Sequence, residues 1–466
     1  MNDKKKKIPR QVMPLQDPDI RKNNFLEVPE GFDKKLAMLE AERCLQCKKP
    51  QCVEGCPVSV PIPEFIKLVK EGRFEEAIIK IRQKNMLPAV CGRVCPQENQ
   101  CEGRCILGRK GDPVSIGALE RFVADMAMEK GYGDCTHEIR KTGKKIAVIG
   151  SGPSGLTVAG DLAVKGHEVV IFEAFHKGGG VLVYGIPEFR LPKSIVSYEI
   201  KKLENYGVKF VYNAVIGKIK TVAELFNEGF DAVYIGVGAG LPRFLNVDGE
   251  NLNGIFSANE YLTRTNLMKA YDSSYDTPIV NGKNVIVVGA GNVAMDAART
   301  ALRLGSENVS IVYRRSRAEM PARGEEIHHA EEEGIKLRLL TNPLKFTGDE
   351  NAWVEKVECV EMELGEPDSS GRRRPVEKDG SNFEIPCDLA IIAVGSGANP
   401  ILTRSEKELK LTPRDYIEAD LSTGRTSIKG VWAGGDIVTG QATVIKAMGA
   451  GRIAAEDMDA YLSELP

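Results

Sequence analysis

The sequence predicts an α/β chain in which a small helical domain precedes two parallel-sheet domains, the second inserted into the first. Three observations carry that prediction. A strand–glycine–helix–strand unit lies at 145–173, a second lies at 284–313, and eight of the eleven cysteines fall between Cys44 and Cys105.

In the first unit, Ile146 to Ile149 is a short β-branched run that reads as a buried parallel strand. It flows into Gly150-x-Gly152-x-x-Gly155, a small-residue helix from Leu156 to Val164, and a second apolar strand, His167 to Phe172, ending in Glu173. Between a strand and a helix, with an acidic residue about 20 positions on, the glycine triplet marks a dinucleotide fold. Gly150 allows the tight turn, Gly152 lets backbone approach a pyrophosphate, and Gly155 lets helix and strand close together. The helix start offers free N–H groups to phosphate, with Pro153 and Ser154 as candidate FAD contacts there, and Glu173 can accept hydrogen bonds from a ribose diol. The plainer account is an ordinary βαβ unit with a glycine turn.

The chain's 466 residues suggest about three domains at roughly 150 residues each. At 42% hydrophobic, 27% charged and a formal net charge of −2, nothing argues for nucleic acid as a partner. The Lys4–Lys7 run reads as a solvated terminus, and no apolar segment follows it to make a secretory signal. No stretch approaches the ~20 apolar residues of a membrane span. A soluble, cytoplasmic protein without a membrane partner is expected.

In such a chain dense cysteines mean metal or redox chemistry rather than disulfides. The first group is Cys44-x2-Cys47-x4-Cys52-x3-Cys56-Pro57, and the second is Cys91-x3-Cys95-Pro96-x5-Cys101-x3-Cys105. Between them Phe65, Ile66, Val69, Phe74, Ala77, Ile78 and Ile81 recur at helical spacing. Structural zinc prefers paired C-x2-C knuckles, and only the first pair has that spacing. Three close thiolates plus a remote Cys-Pro match the bacterial ferredoxin pattern, in which the fourth cysteine serves the other cluster. The reading is two [4Fe–4S] clusters with crossed ligation. One takes Cys44, Cys47 and Cys52 and is completed from the second group; the other takes Cys56 and thiolates of the second group. Zinc and reactive thiols are the rival readings.

After Glu173, the run from His176 to Arg190 is dense in glycine and apolar residues, and can lie flat against a large planar ring. Gly180, Val181, Leu182 and Arg190 are its candidate flavin contacts, with a merely flexible turn at Gly178–Gly180 as the bland alternative. Strands are expected at Val208–Tyr212 and Ala232–Val237, with Ile216 and Gly238 beside the flavin. The second fingerprint follows: a strand Asn284–Val288, then Gly289-Ala290-Gly291-Asn292-Val293-Ala294, a helix through Leu304, and a strand Val309–Tyr313. Where a ribose-binding carboxylate would stand, the chain has Arg314-Arg315, with Arg317 close behind. Arginine there suits the 2′-phosphate of NADP through charge-assisted hydrogen bonds, against the alternative of a solvated basic turn.

Asp388–Val394 reads as an apolar strand, and Gly435-Asp436 precedes a helix from Thr443 to Met458. Gly435, Asp436 and Thr443 are candidate FAD contacts, and Asp436 supplies the strand-end carboxylate that the flavin site still lacks. The expected organisation is a helical iron–sulfur domain at 1–140, an FAD domain at 141–270 and 391–466, and an inserted NADP(H) domain at 271–390. Both sheet domains are Rossmann-like, and Asp349–Asn382 reads as a hairpin excursion. The histidines at 137, 167, 176, 328 and 329 match no triad or metal motif, and His328-His329 beside Glu325 and Glu331 reads as a helix face. Cys359 and Cys387 stand alone, so the inserted domain lacks the Cys-x-x-Cys of a thioredoxin-reductase-type enzyme. Two intact fingerprints argue against a cluster-bearing scaffold or sensor.

On the two cysteine groups, GSGPSGL, GVLVYGIPEFRLPK, GAGNVAMDAART, YRRSRAEMPAR and AGGDIVTGQATVIKAMGAGR, the chain resembles the glutamate synthase small-subunit family over nearly its whole length. That family includes the N-terminal portion of dihydropyrimidine dehydrogenase and the large subunit of NADH-dependent ferredoxin:NADP⁺ oxidoreductase. RCLQCKKPQCVEGCPV and AVCGRVCPQENQCEGRC look most like this last, bifurcating subunit, sometimes labelled a sulfide dehydrogenase subunit; glutamate synthase small subunits typically have a shorter second group. The resemblance implies a cluster far from flavin on Cys44, Cys47, Cys52 and Cys105, and a near one on Cys56, Cys95, Cys101 and Glu120. Cys91 would be an unligated bystander. In the dihydropyrimidine dehydrogenase relatives the position of Glu120 is glutamine, and a surface carboxylate is the plain alternative. The resemblance also implies FAD, NADP(H), and electrons split between ferredoxin and, through a smaller flavoprotein subunit with FAD and [2Fe–2S], NAD. Its other branch is an NADPH-dependent glutamate synthase small subunit feeding a large amidotransferase subunit.

Overall fold

The computed structural model describes residues 8–133, 140–369 and 371–465. The Lys4–Lys7 run, Cys135 and His137 lie outside the described residues. The helical domain is built from Lys34–Ala41, Ile62–Lys70, Phe74–Arg82, Pro88–Val94 and Ile116–Lys130. Asp33 caps the first of these by accepting from the Leu36 N–H at 2.7 Å. The longest ends on Gly131, whose φ of 69° is the left-handed C-cap conformation. Phe65, Ile66, Val69, Ala77, Ile78 and Ile81 are buried as their spacing predicts and form the seam between the second and third helices.

The first sheet is parallel throughout, in the order Val431–Ala433, Ala232–Ile235, Lys145–Ile149, Glu168–Phe172, Lys209–Val211. The second repeats the plan with Ile255–Ser257, Leu389–Ile392, Asn284–Val288, Asn308–Tyr313 and Lys336–Leu339. Each fingerprint strand stands third in its sheet, buried on both sides by β-branched residues. An antiparallel layer of Thr341–Gly348, Val354–Pro367, Arg373–Glu377 and Phe383–Pro386 grows from the inserted domain.

The sheets move the expected domain limits. The chain crosses between domains at Leu241–Pro242 and Ser396–Gly397, which pair with each other, and not at 270/271 and 390/391. Ile255–Ser257 is a three-residue strand, too short to read from sequence, and its partner Leu389–Ile392 therefore belongs to the second sheet. Residues 8–30 form an arm that packs on the rest of the chain. They contain the one-turn helix Pro18–Arg21, Leu15 bridges to Pro29, and the Arg21 side chain is buried.

Candidate functional site

The structure gathers the cysteines into two groups. Cys44, Cys47, Cys52 and Cys105 line one cavity of about 250 Å³, walled by Ile62, Ile66, Ile106, Leu107 and Ile116. Gln46, at a φ of 51°, folds the first C-x2-C loop back and donates from Nε2 to Cys44 Sγ at 3.4 Å. Burial pushes the Cys52 thiol up to about 12, with Cys105 and Cys44 adding to it, and raises Cys44 for the same first reason. Soft sulfur donors that resist ionisation together fit a site that a cationic group must complete. Thiols standing round a cavity suit a cluster, where each thiolate meets a different iron, better than zinc.

The second group is Cys56, Cys95, Cys101 and Glu120. Burial, then Glu120 and Cys95 among the neighbouring charges, pushes Cys56 up to about 11. Burial raises Cys101 well above its ordinary value, with Glu102, Glu120, Cys95 and Cys56 adding. Glu120 is 9% exposed, which removes the surface-carboxylate reading. It sits among the thiols, accepts from Asn85 Nδ2 at 2.8 Å, and is pushed up to about 7 by burial. Cys91 lies in the same group, hydrogen-bonded to Cys95 and 3.5 Å from Met448 Sδ.

This second group touches the flavin domain. Gln100 Nε2 donates to Thr443 Oγ1 at 3.5 Å, and a methyl group on Gly449 would stand 3.1 Å from the Pro57 carbonyl oxygen. Thr443 is the N-cap of the last helix, Val444–Glu464, so the inner thiols abut the end of the helix to which sequence assigned a flavin contact.

Around the first fingerprint, the three glycines differ as their predicted roles require. Gly150 has φ +98°, and a methyl on Gly155 would meet the Gly150 carbonyl oxygen at 2.0 Å. A methyl on Gly152 would meet nothing within 4 Å, which leaves that turn open to a ligand. Glu173 accepts from the Ser151 N–H at 2.9 Å, the Phe175 N–H at 2.8 Å and the Ser151 hydroxyl. Ser151 Oγ in turn accepts from the Gly179 N–H at 2.9 Å, and Gly180 stands with a prospective Cβ 2.8 Å from Gly152 Cα. Gly435 packs on Ser154, whose hydroxyl is hydrogen-bonded to Tyr234. Burial pushes Asp436 up to about 6 and Tyr184 up to about 12, the latter with Asp436 and Glu173 adding. Pro153, Leu182 and Ile216 are buried, Val181 is partly exposed, and Gly238 faces open space. Arg190, a candidate flavin contact from sequence, is paired with Asp296 and Glu326 of the inserted domain.

In the second fingerprint Gly289 has φ +132° against the Ala393 carbonyl, and Gly291 is open apart from Pro321 at 3.9 Å. Asn292 accepts from the Arg323 N–H at 2.9 Å, and Val293 is exposed. The arginine pair divides. Arg314 is exposed and, among the described residues, makes no hydrogen bond or ion pair. Arg315 is buried, donating to the Arg373 carbonyl at 2.8 Å and to Asp368 at 2.6 Å on the hairpin. Sequence reasoning missed Ser151, Tyr184, Arg323 and Asp368. Only Ser151 carried a local signal, as the residue between the first two glycines.

Residues 21–132 match the family described as dihydropyrimidine dehydrogenase domain II, 4Fe-4S cluster, and residues 144–451 match pyridine nucleotide-disulphide oxidoreductase. The fold and site therefore define an oxidoreductase that joins a 4Fe–4S domain to a flavin- and nucleotide-binding unit, with iron–sulfur clusters, FAD and NADP(H) as cofactors. The chain is 38% identical over 458 residues to the glutamate synthase [NADPH] small chain of Azospirillum brasilense, covering 97% of this chain and 94% of that one. It is 39% identical over 437 residues to the NADP(+)-dependent formate dehydrogenase subunit beta of Moorella thermoacetica, covering 89% of this chain and 60% of that one. The chain belongs to the glutamate synthase small-subunit-like family. At the level of fold alone it is similar to Mycobacterium tuberculosis FprA in complex with NADPH, at a TM-score of 0.58 and 22% identity over 70% of this chain and 85% of that one. Among the described residues no helix is long and apolar enough to cross a membrane.

Proposed function

We propose that the chain is the NADPH-binding subunit of an iron–sulfur flavoprotein complex, an NADH-dependent ferredoxin:NADP⁺ oxidoreductase. In that reading it exchanges electrons with ferredoxin and, through a smaller flavoprotein subunit carrying FAD and [2Fe–2S], with NAD. When bound, FAD would supply the conversion between two-electron hydride exchange with a nicotinamide and single-electron exchange with iron–sulfur clusters. The observation that carries the reading is the order of the sites. The Cys56 group abuts the Thr443 end of the flavin domain, while the Cys44 cavity is lined by helical-domain residues alone.

Each role belongs to residues of this chain. Cys56, Cys95, Cys101 and Glu120 would hold the inner cluster, and Cys44, Cys47, Cys52 and Cys105 the outer one. Gly152 and the start of helix Pro153–Ala163 would bind the FAD pyrophosphate, and Glu173, already oriented by two backbone N–H groups, its ribose. Gly180 to Leu182, Gly238 and Asp436 border the space for the rest of the flavin. Gly291, Asn292 and Val293 would take the NADP(H) pyrophosphate, and Arg314 its 2′-phosphate. No side-chain acid or nucleophile is needed.

The near full-length match on both sides to a glutamate synthase small chain favours a second reading, a subunit feeding NADPH electrons to a large amidotransferase partner. Native anaerobic affinity capture separates the two. A small companion with its own flavin is the expected result, and a large glutamine-binding subunit would replace the first reading by the second.

A further inference from the structure

Leu241–Pro242 and Ser396–Gly397 make a connector of two short strands between the sheet domains. Domains joined through so little chain move relative to each other unless an interface holds them. Here the restraint includes a buried ionic network, beside the Asn266 amide, which donates to the Tyr184 and Gly185 carbonyls, and the apolar contact of Leu267. Arg190, at the end of the glycine-rich loop beside the flavin site, binds both oxygens of Asp296 at 2.8 and 2.7 Å, and Glu326 at 2.9 Å. Asp296 lies early in helix Asn292–Arg303, whose start is the second phosphate cradle. A single side chain thus ties the two cofactor cradles together.

The network continues into a third element. Glu326 pairs with Arg299, and Arg299 and Arg303 both pair with Glu333. Arg21, from the N-terminal arm and 1% exposed, reaches the same Glu333 at 2.9 Å and Glu332 at 2.7 Å. The arm also covers Phe189, the neighbour of Arg190. The Val28 N–H donates to the Phe189 carbonyl at 2.9 Å, and the Phe25 ring lies 6.3 Å from that of Phe189 while stacking on Tyr271 at 4.4 Å. The guanidinium groups of Arg303 and Arg299 sit 4.0 and 4.7 Å over the same Phe189 ring. At both of its ends the arm is fixed to the cysteine domain, Arg10 to Glu102 at 2.7 Å and the Pro29 carbonyl to Arg121 at 2.9 Å.

We propose that the arm Ile8–Glu30 is a positioning strap, and that Arg21 and Arg190 are positioning residues that fix the angle between the flavin and nucleotide domains. The inference rests on the reading above that the two cradles exchange electrons across their cleft. An apolar seam can slide without losing much contact. A buried ionic seam cannot, because any shear strands a charge away from its partner in a medium of low dielectric. Such a network selects one angle, and the strap makes that angle depend on the cysteine domain as well.

The test compares oxygen-protected full-length holoprotein with its Arg21→Ala and Phe25→Ala variants. The second removes ring contacts without stranding a buried charge, and so decides the matter if the first does not fold. Small-angle X-ray scattering is expected to show longer intramolecular distances in both variants. Flavin content and the dissociation constant for NADPH should stay within about twofold of the parent, while the limiting rate of flavin bleaching at saturating NADPH falls at least about tenfold. Arg21→Lys should recover part of that rate. Unchanged scattering and rate in both variants, or a loss confined to NADPH affinity, would overturn the strap. Parent protein that NADPH does not bleach would sink the electron-exchange reading itself, and the strap with it.

Discussion

Arg314 and Arg315 are neighbours in sequence with different surroundings in the fold. With Arg315 held by Asp368 and the Arg373 carbonyl, Arg314 is the one left facing solvent for a 2′-phosphate. Charge-assisted hydrogen bonds of about 1.5–3 kcal/mol each set the expectation for Arg314→Ala. It should weaken NADPH binding about 10–100-fold and leave NADH binding unchanged, as read by nucleotide titration of flavin fluorescence. Arg315→Ala should act mainly on stability. Glu199 gives a pH prediction at the same scale. It is fully buried, accepts from the Ala89 N–H at 3.2 Å, leaves its second oxygen unpartnered, and is pushed up to about 7 by burial. Its folded value lies above the ordinary carboxylate value near about 4.3, so its contribution is complete below that pH and is lost as pH rises through about 7. Glu199→Gln keeps the Ala89 contact and cannot ionise. Its apparent Tm should therefore gain on the parent between about pH 5 and about pH 8, and a constant difference would contradict the assignment.

At the scale of single elements, the first fingerprint separates close packing from ligand approach. A methyl at Gly155 would overlap the Gly150 carbonyl, whereas one at Gly152 meets only open space. Gly155→Ala is expected to destabilise by about 1–3 kcal/mol or more and to release flavin. Gly152→Ala should keep the parent's Tm yet hold flavin more weakly, because the added methyl stands where phosphate must approach. The cysteine loops give a parallel contrast. Cys105→Ser should remove one cluster's iron and sulfide while leaving the flavin-side cluster's paramagnetic signal. Cys101→Ser should do the reverse, and Cys91→Ser should retain both. Loss of both clusters in Cys91→Ser would give that thiol a ligand role.

Across the whole molecule, a buried ionic network joins the sheet domains beside the apolar contact of Leu267 and the Asn266 amide, which donates to the Tyr184 and Gly185 carbonyls. Truncating Arg190 would leave Asp296 charged, buried and short of its bidentate partner. Arg190→Ala should lower stability by about 3–5 kcal/mol, and Arg190→Met combined with Asp296→Leu should recover most of it, by denaturant unfolding of oxygen-protected protein. The inserted domain also reaches the cysteine domain directly. Arg323 donates to the Arg93 carbonyl at 3.2 Å and to Gln97 at 3.0 Å, between two of the inner thiols in sequence. All three domains therefore meet around the cysteine-rich centre.

Both glycine fingerprints, the helical spacing between the cysteine groups and the basic residues closing the second unit were legible in the sequence, because a strand, a turn and a helix start impose their residue types locally. The chain by itself also determined which family it belongs to, since the motifs stand in an order that needs no folding to be read. Only the tertiary structure decided that Arg315 is captured by a hairpin and that Leu389–Ile392 completes the second sheet. It also showed Arg190 paired with Asp296 and Glu326 and Arg21 buried against partners more than 300 residues away in sequence. Those outcomes depend on which distant segments share a low-dielectric interior. Burial converts an arginine or a thiol into a group that must find a partner, and no local spacing specifies which one it finds.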